Sequence, residues 1–375
     1  MRQAISLAQD VLYVPAPNPR VGCVIVREAQ VLARGATQRA GGAHAEIMAL
    51  RDLADRGQRA EGATVYISLE PCSHHGRTPP CVDALIKAGP ARVVFAHFDP
   101  NPAVAGRGLQ ALRAAGIAVT VGVCAEEALE VNPGFVSRMT RGVPYVWIKV
   151  AASMDGRTAL ANGASQWITG PQARADGHHW RARSCVVMTG IGTVRADDPK
   201  MNVRYVVTPR QPRRAVIDPG FDISEQASLL EGGEVIIFTG HTDVEKAARL
   251  AARGVQVVLL PEVPVAAQAS GRPRVDLPAM MRWLAEQEVN EVHVEAGSGL
   301  NGALISAGCV DELVLYVAPM LLGEGNSIAQ LPGFEQLNQA PRFEFIDVRQ
   351  LGADVRLRAR ASARWQDLLE QIHLN

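Results

Sequence analysis

The sequence predicts an α/β protein built from two domains. Strand-like and helix-like stretches alternate along the chain, which is the pattern of layered α/β folds with parallel strand pairs. The length of 375 residues corresponds to about two domains at roughly 100–200 residues each. A hydrophobic content of 47% excludes a disordered chain. We place the domains at residues 1–124 and 145–375, with a connecting helix and linker over 125–144.

The first domain is predicted to alternate strands and helices after an opening helix over residues 1–10. Each strand is a short apolar run bounded by turn residues. The predicted strands cover 21–26, 31–35, 64–69, 92–96 and 117–123, and the predicted helices cover 44–56, 81–88 and 109–115. Helices of about ten residues between strands indicate parallel strand pairs in one layer.

The second domain is predicted to begin where Gly142 and Pro144 close the connecting helix over 125–140. Two late strands, 343–349 and 354–360, flank a Leu-Gly turn and predict a hairpin. The other predicted elements are strands over 145–152, 184–189, 214–218, 234–239, 255–260, 291–296 and 312–317, a Pro/Ala/Gly-rich loop over 263–274 and a terminal helix over 365–374.

Composition and charge exclude several classes of protein. Lys+Arg and Asp+Glu both number 38, so there is no basic excess of the kind that non-specific nucleic-acid binding requires. Six cysteines are too sparse for a secreted disulfide scaffold. No apolar run reaches the roughly 18 residues of a membrane span, and the N-terminus lacks a signal sequence. We expect a cytoplasmic protein with neither a nucleic-acid nor a membrane partner.

Three residues of the first domain predict a zinc site. His44 opens one predicted helix, Cys81 opens another, and Cys72 follows a strand. One imidazole and two thiolates are zinc ligands, and three protein ligands leave a fourth position for water, as in catalytic zinc sites. Glu46, two residues after His44, could exchange protons with that water. The order HxE and then PC before a helix is typical of zinc nucleobase deaminases.

A closed, structural zinc site is the alternative. The two cysteines are nine residues apart rather than in the short PCxxC form, and His74 or His75 could supply a fourth ligand. Glu46 would then be a solvated helix residue. The shared order of motifs favours the catalytic interpretation.

The segments NPRVGC (18–23), HAE (44–46) and PCSHHGRTPPC (71–81) resemble the deaminase half of the bifunctional riboflavin-biosynthesis deaminase/reductase family, which has the same elongated Cys-to-Cys segment. The resemblance implies a cytidine-deaminase-like α/β/α layer that holds one zinc ion per chain and uses Glu46 as its catalytic residue. It also implies that Asn18, His74 and Arg77 contact the pyrimidine and phosphate of the substrate.

A GxGxxG run over 297–302 lies between a predicted strand and an apolar helix. Such a turn can hold a pyrophosphate at the helix N-terminus, although a tight packing turn gives the same pattern. A Rossmann domain fits poorly, because the run occurs late in its domain and the next strand ends in Ala318-Pro319 rather than in an acidic residue.

The segments SMDGR (153–157), SQWITG (165–170) and TVRADDP (193–199), together with Lys149 in an apolar strand, resemble the reductase half of the same family. The resemblance implies a dihydrofolate-reductase-like α/β domain that uses NADPH. The implied cofactor contacts are Ala151, Trp167, Thr193, Asp197, Gly297, Ser298, Gly299, Leu300, Asn301, Gly302 and Ala303. The implied substrate contacts are Lys149, Ser165, Arg181, Met201, Arg204 and Glu295. Because a guanidinium matches phosphate geometry, we place Arg181 and Arg204 at the substrate phosphate, with Ser165 as a third donor.

The resemblance covers essentially the whole chain and implies two reactions on one small phosphoribosylamino-pyrimidine. The first removes an amino group of the diaminopyrimidinone as ammonia, and the second reduces the opened ribose to a ribityl chain with NADPH. We also expect a homo-oligomer. Two other classes stay open from the residues alone, namely a nucleic-acid base deaminase with an accessory domain and a non-catalytic module folded around zinc. The first would need a basic groove, and the second would not need Glu46.

Overall fold

The computed structural model describes residues 1–74, 79–102, 104–261 and 274–373. Contacts divide the chain into two compact units. The first comprises Met1–Gly142 and the chain from Gln366 onward, and the second comprises Val143–Trp365. The terminal helix was expected in the second domain, but its residues from Gln366 onward group with the first unit. None of the helices in the described ranges is long and apolar enough to span a membrane.

The first unit is built on a five-stranded sheet in the order β2-β1-β3-β4-β5. The strand β1 is antiparallel to β2 and β3, whereas β3, β4 and β5 are parallel. The strands are β1 (Gly22–Arg27), β2 (Gln30–Ala36), β3 (Thr64–Ile67), β4 (Arg92–Phe95) and β5 (Ala118–Val121), and the helices among them are α1 (Arg2–Asp10), α2 (Ala45–Asp55), α3 (Cys81–Ala88) and α4 (Arg107–Ala114). Their buried residues form one core in which Ile25, Ile67 and Phe95 are fully buried. The alternation predicted from the sequence is therefore present.

The connecting segment is two helices rather than the one that the sequence predicts. They are α5 (Ala125–Leu129) and α6 (Pro133–Arg141). Pro133 has no backbone N–H and disfavours helical geometry in the residue before it, so it begins a helix and cannot continue one. The preceding Asn132 instead bonds through its side chain to both backbone groups of Arg20, which fixes the turn before β1.

The second unit is built on a nine-stranded sheet in the order β11-β10-β9-β8-β12-β6-β13-β16-β15. Its strands are β6 (Tyr145–Ser153), β8 (Val186–Gly190), β9 (Arg213–Ile217), β10 (Val235–Thr239), β11 (Val255–Leu259), β12 (Glu291–Val294), β13 (Glu312–Ala318), β15 (Glu344–Leu351) and β16 (Asp354–Arg360). The strands from β11 to β13 are parallel, and β16 and β15 form the predicted hairpin at one edge. All the parallel strands therefore end at one side of the sheet, where α/β proteins commonly bind ligands.

The helices of the second unit are α7 (Pro171–Arg183), α8 (Ile191–Asp197), α9 (Val244–Ala251), α10 (Leu277–Glu286) and α11 (Ser298–Ser306), and the last helix is α12 (Ser362–His373). A separate two-stranded sheet of β7 (Arg157–Leu160) and β14 (Gly325–Ser327) is absent from the prediction. Three-residue strands such as β14 give little apolar alternation to detect. Nearly all of the loop predicted over 263–274 falls outside the described residues.

Two candidate active sites

The predicted zinc ligands meet at one point of the first unit. His44 caps the N-terminus of α2, Cys81 is the first residue of α3, and Cys72 lies in the segment between β3 and α3. The Nδ1 atom of His44 is 3.5 Å from the Cys72 sulfur and 3.4 Å from the Cys81 sulfur. The three donor atoms lie within 4.8 Å of one another, so one ion could contact all three.

The pKa values of the two thiols are shifted in opposite directions. A hydrogen bond from Cys81, and after it one from His44, lowers the pKa of the Cys72 thiol to about 4. The same hydrogen bond to Cys72, together with burial, raises the pKa of Cys81. The Cys81 backbone N–H also donates to the Cys72 sulfur at 3.3 Å. The hydrogen bond between the two thiols thus favours the thiolate at Cys72 over that at Cys81, and metal binding requires both sulfurs to be deprotonated.

Glu46 lies in the first turn of α2, directly beside these donors, and is only 4% exposed. Burial, and then the negative charge of Cys72, raises the pKa of its carboxyl group to about 7. A carboxyl group with such a pKa can both accept and donate a proton near neutrality. The interpretation of Glu46 as a solvated helix residue is therefore wrong.

The segment that carries Cys72 is fixed by a carboxylate that the sequence analysis did not single out. Glu70 is buried and accepts backbone hydrogen bonds from Asp99, Gly106 and Leu109 at 3.2, 3.0 and 3.1 Å. At Gly108 a Cβ atom would come within 2.5 Å of the Pro71 carbonyl oxygen. Helix α4 can therefore approach the Cys72 segment closely only with glycine at this position.

Asp99 is a second missed residue of this site. It follows β4 and is 6% exposed, and burial raises its pKa to about 7, with the charges of Glu70, Cys72 and Glu46 acting in the same direction. The available signal was positional, because a polar residue after a parallel strand lies at the same sheet edge as the segment that follows its neighbour.

The predicted substrate contacts of the first site are less well defined. Asn18 lies in the turn before β1, where its N–H donates to the Pro15 carbonyl oxygen at 2.8 Å. The Nδ1 atom of His74 is buried without a hydrogen-bond partner among the described residues. Arg77 and His75 lie outside the described residues.

The second unit contains a cavity of about 720 Å³ at the carboxyl ends of its parallel strands. Most of the predicted reductase residues line it. The predicted residues in its wall are Lys149, Ala151, Ser165, Trp167, Arg181, Thr193, Asp197, Met201, Arg204, Glu295, Gly297, Ser298, Gly299 and Leu300. Asn301, Gly302 and Ala303 are not part of this wall. Residues from six separate segments of the chain therefore converge on one space.

A partly buried charge cluster forms one part of the cavity wall. The Arg181 Nε and Nη2 atoms donate to the two Glu295 carboxylate oxygens at 2.5 and 2.8 Å, and its Nη1 donates to the Asn202 carbonyl oxygen at 2.8 Å. Burial alone would raise the pKa of Glu295, but the charge and hydrogen bonds of Arg181 outweigh it and hold that pKa well below its usual range. Burial lowers the pKa of Lys149. The cluster thus contains two cationic side chains and one carboxylate.

This pairing changes the prediction for Arg181. In this structure its guanidinium pairs with the Glu295 carboxylate, so these donors are not directed at a substrate phosphate. Arg204 is different, since its Nη1 atom contacts only the side-chain oxygen of Asn202, at 2.7 Å, among the contacts described. Its backbone N–H donates to Nδ1 of His178 at 3.1 Å, which ties the Arg204 segment to α7.

The glycine turn before α11 is open on one side and packed on the other. A Cβ atom at Gly297 would meet no atom within 4 Å, whereas one at Gly302 would lie 1.9 Å from the Gln330 carbonyl oxygen. Asn301 is buried and donates to the Ala296 and Ile328 carbonyl oxygens. Gly302 and Asn301 therefore shape the turn, while Gly297–Leu300 faces the cavity with the N–H groups of a helix N-terminus, which have no partner within the helix.

Both units are similar to known proteins. Residues 1–97 match the family model of the cytidine and deoxycytidylate deaminase zinc-binding region, and residues 144–357 match that of the RibD C-terminal domain. The riboflavin biosynthesis protein RibD of Escherichia coli is 45% identical over 369 residues, which cover 95% of this chain and 96% of that protein. The chain belongs to the RibD family. The RibD protein of Aquifex aeolicus is 39% identical over 357 residues, covering 95% and 96%.

Solved RibD structures have the same two-domain architecture. An Acinetobacter baumannii RibD superposes with a TM-score of 0.85 at 43% identity, covering 96% of this chain and 97% of that one. A Thermotoga maritima diaminohydroxyphosphoribosylaminopyrimidine deaminase/5-amino-6-(5-phosphoribosylamino)uracil reductase superposes with a TM-score of 0.84 at 30% identity, with the same coverage. As a member of this family, the chain is a bifunctional enzyme of riboflavin biosynthesis, with a zinc-binding deaminase domain and a reductase domain that takes a nicotinamide cofactor and acts on a small molecule.

Proposed function

We propose that the first site hydrolyses the 2-amino group of 2,5-diamino-6-(5-phosphoribosylamino)pyrimidin-4(3H)-one. The second site then reduces the ribosyl chain with NADPH, giving 5-amino-6-(5-phosphoribitylamino)uracil. The observation that carries this proposal is the convergence of His44, Cys72 and Cys81 beside a buried Glu46, in the same chain as a cavity lined by a glycine turn and a charge cluster.

The donor set of the first site fits one zinc ion per chain, held by His44, Cys72 and Cys81. When bound, zinc supplies a Lewis acid that makes water nucleophilic near neutral pH. Glu46 takes the proton of the attacking water and passes it to the departing amine, which its raised pKa suits. Asn18, His74 and Arg77 contact the pyrimidine and its phosphate.

The cavity of the second unit fits a dinucleotide, because the open side of Gly297–Leu300 offers unpaired backbone donors to a pyrophosphate. We place NADPH along the residues of this turn, on Ala151 and Trp167, and on Thr193 and Asp197. The last two are one helical turn apart on α8 and both line the cavity. No acidic residue ends β13 to repel a 2′-phosphate, which agrees with NADPH rather than NADH.

The substrate of the reductase lies against the charge cluster. Lys149 is close to the reacting carbon and orients the sugar or supplies a proton. Glu295 accepts hydrogen bonds from sugar or pyrimidine groups, and Arg181 holds that carboxylate in place. Arg204 and Ser165 bind the terminal phosphate, and the buried Met201 packs beside them. A guanidinium suits this role because its paired donors match phosphate geometry.

Product analysis tests the two reactions together. The purified chain is given the diaminopyrimidinone substrate with and without NADPH, and products are identified by mass. Without NADPH, ammonia and the deaminated pyrimidine should accumulate, and with NADPH the ribityl product should replace the latter. Unchanged substrate in both reactions would contradict the proposal.

We also propose that the chain forms a homo-oligomer through the edge strand β15. Phe345 and Val348 on this strand are 65% and 66% exposed, and an exposed hydrophobic edge strand is a template for pairing. Asp347 and Arg349 flank Val348. If two copies pair antiparallel about Val348, each Asp347 therefore lies opposite the partner's Arg349, which is a favourable cross-strand pair.

A like charge at the centre of this pairing tests the oligomer. Val348→Lys would place two lysines opposite each other and should reduce the mass measured by light scattering to that of the monomer. Val207→Lys, at a residue that is 98% exposed elsewhere in the unit, is the matched control. An unchanged oligomer in Val348→Lys, or a monomeric parent chain, would contradict the pairing.

A further inference from the structure

Lys149 lies in a pocket formed by the sheet and helix α7. Its Nζ atom is 5.6 Å from the ring centroid of Tyr316 on the adjacent strand β13. A Cβ atom at Gly177 of α7 would be 3.9 Å from the lysine Cε atom, so the helix packs directly on the lysine stem. The position of the ammonium group is therefore set by the Tyr316 ring on one side and α7 on the other.

Tyr316 is itself held by a chain of charged groups. Its hydroxyl donates to an Asp176 carboxylate oxygen at 2.6 Å. Arg356 donates through Nη1 to both Asp176 oxygens, at 3.0 and 2.9 Å, and through Nη2 to Asp347 at 2.7 Å. Tyr316 is 1% exposed and Arg356 9% exposed. Neither residue, nor Asp176, belongs to the cavity wall as described, so none of the three is placed to contact substrate.

The chain has an electrostatic consequence for Lys149. A phenol that donates to a carboxylate is polarised, which makes its ring face more attractive to a cation. Few other groups favour the ammonium form, because Glu295 is shared with Arg181 and burial disfavours a charge. Two further titratable groups near the lysine are His178 on α7 and His293 on β12, and burial lowers the pKa of both.

We propose that Tyr316, polarised by Asp176 and anchored by Arg356, is a positioning residue that holds the Lys149 ammonium group at the cavity wall for the reductase reaction. The proposal rests on the proposed function of Lys149 at the reacting carbon. It assigns a role to three residues behind the site, which lie on α7, β13 and β16.

Graded substitution of Tyr316 tests this role. Tyr316→Phe keeps the ring and loses the polarising hydrogen bond, and Tyr316→Leu loses both. The ring favours the charged lysine, so its removal lowers the lysine pKa, and the alkaline limb of the reductase pH–rate profile should move to lower pH. We expect a small shift for Phe, and for Leu a shift of about one pH unit with roughly tenfold lower kcat. NADPH affinity, measured by fluorescence titration, should be unchanged.

Tyr145→Phe is the matched control. Tyr145 is also a buried tyrosine, and its hydroxyl donates to the Glu312 carboxylate at 3.3 Å. It begins β6, whereas Tyr316 lies near the carboxyl end of β13. The Tyr145→Phe variant should leave the pH profile in place. Lys149→Gln identifies the alkaline limb, which should disappear from its residual activity. If the parent chain performs no NADPH-dependent reduction, the proposed function fails. If it does, and folded Tyr316→Phe and Tyr316→Leu keep the parental limb and kcat, the positioning role of Tyr316 is wrong.

Discussion

The two candidate sites are assembled in opposite ways. In the first unit the four central residues come from two short segments, 44–46 and 72–81, and three of them, His44, Cys72 and Cys81, surround a place for a cation. In the second unit Lys149, Arg181 and Glu295 come from β6, α7 and the end of β12, and Arg181 and Glu295 already pair with each other. Activity at a metal site depends on a few ligands and should be lost completely without the metal. At a site built around a paired arginine and glutamate, single substitutions should reduce activity only partly.

The largest expected effect is the loss of a metal ligand. Cys81→Ala should lose zinc and all detectable ammonia release, because two remaining ligands cannot hold the ion in an open site. Reduction of the deaminated intermediate should continue. Metal content and both activities measure this. Cys309→Ala is the control, because it also removes a buried cysteine thiol but in the second unit, and it should retain zinc. If folded Cys81→Ala still deaminates the substrate, Cys81 is not a required zinc ligand.

A smaller but still large effect is expected at Glu46. Glu46→Gln keeps the shape of the side chain and removes proton transfer, so ammonia release should fall by roughly 10²–10⁴-fold. Zinc content should stay at one per chain. Glu61→Gln, at an exposed carboxylate of the same unit, is the control. Deamination at the parental rate in Glu46→Gln would show that another group moves the proton.

Substitution of the two arginines of the second site, Arg204 and Arg181, should have different effects. A charge-assisted contact contributes about 1.5–3 kcal/mol, so Arg204→Ala should weaken substrate binding roughly ten- to a hundredfold with little change in NADPH affinity. Arg181→Ala leaves Glu295 without its guanidinium partner and should lower kcat and the free energy of unfolding as well. Steady-state kinetics and denaturant titration separate the two. Loss of NADPH binding in Arg204→Ala would show that Arg204 binds a phosphate of the cofactor rather than that of the substrate.

The smallest effect concerns acid stability. Burial, together with the charges of Arg181 and Arg204, lowers the pKa of His178 to about 4, and burial lowers that of His97 in the first unit to about 4 as well. The unfolded chain binds protons on these histidines near pH 6.5, so the free energy of unfolding should fall as the pH falls from about 6.5 to 4. His178→Gln should flatten this slope in chemical denaturation. An unchanged slope would mean that other groups dominate.

The first site could be predicted from the sequence more fully than the second, because its residues lie close together along the chain. His44, Glu46, Cys72 and Cys81 lie in two local motifs, so sequence order was enough to bring them together. The pairing of Arg181 with Glu295 joins residues 114 positions apart, and the contact of Tyr316 with Asp176 spans 140. Such pairs depend on strand order and helix placement, which no local pattern encodes. The break between α5 and α6 does have a local signal, because Pro133 can begin a helix but cannot continue one.

The central claim is that one chain carries two independent sites, of which only the first needs a metal. The most direct measurement removes zinc from the parent chain with a chelator and follows both activities in the same sample. Ammonia release should disappear and return on adding zinc, while NADPH oxidation with the deaminated intermediate continues throughout. Parallel loss of both activities in a folded chain, or deamination that survives the loss of zinc, would contradict the account.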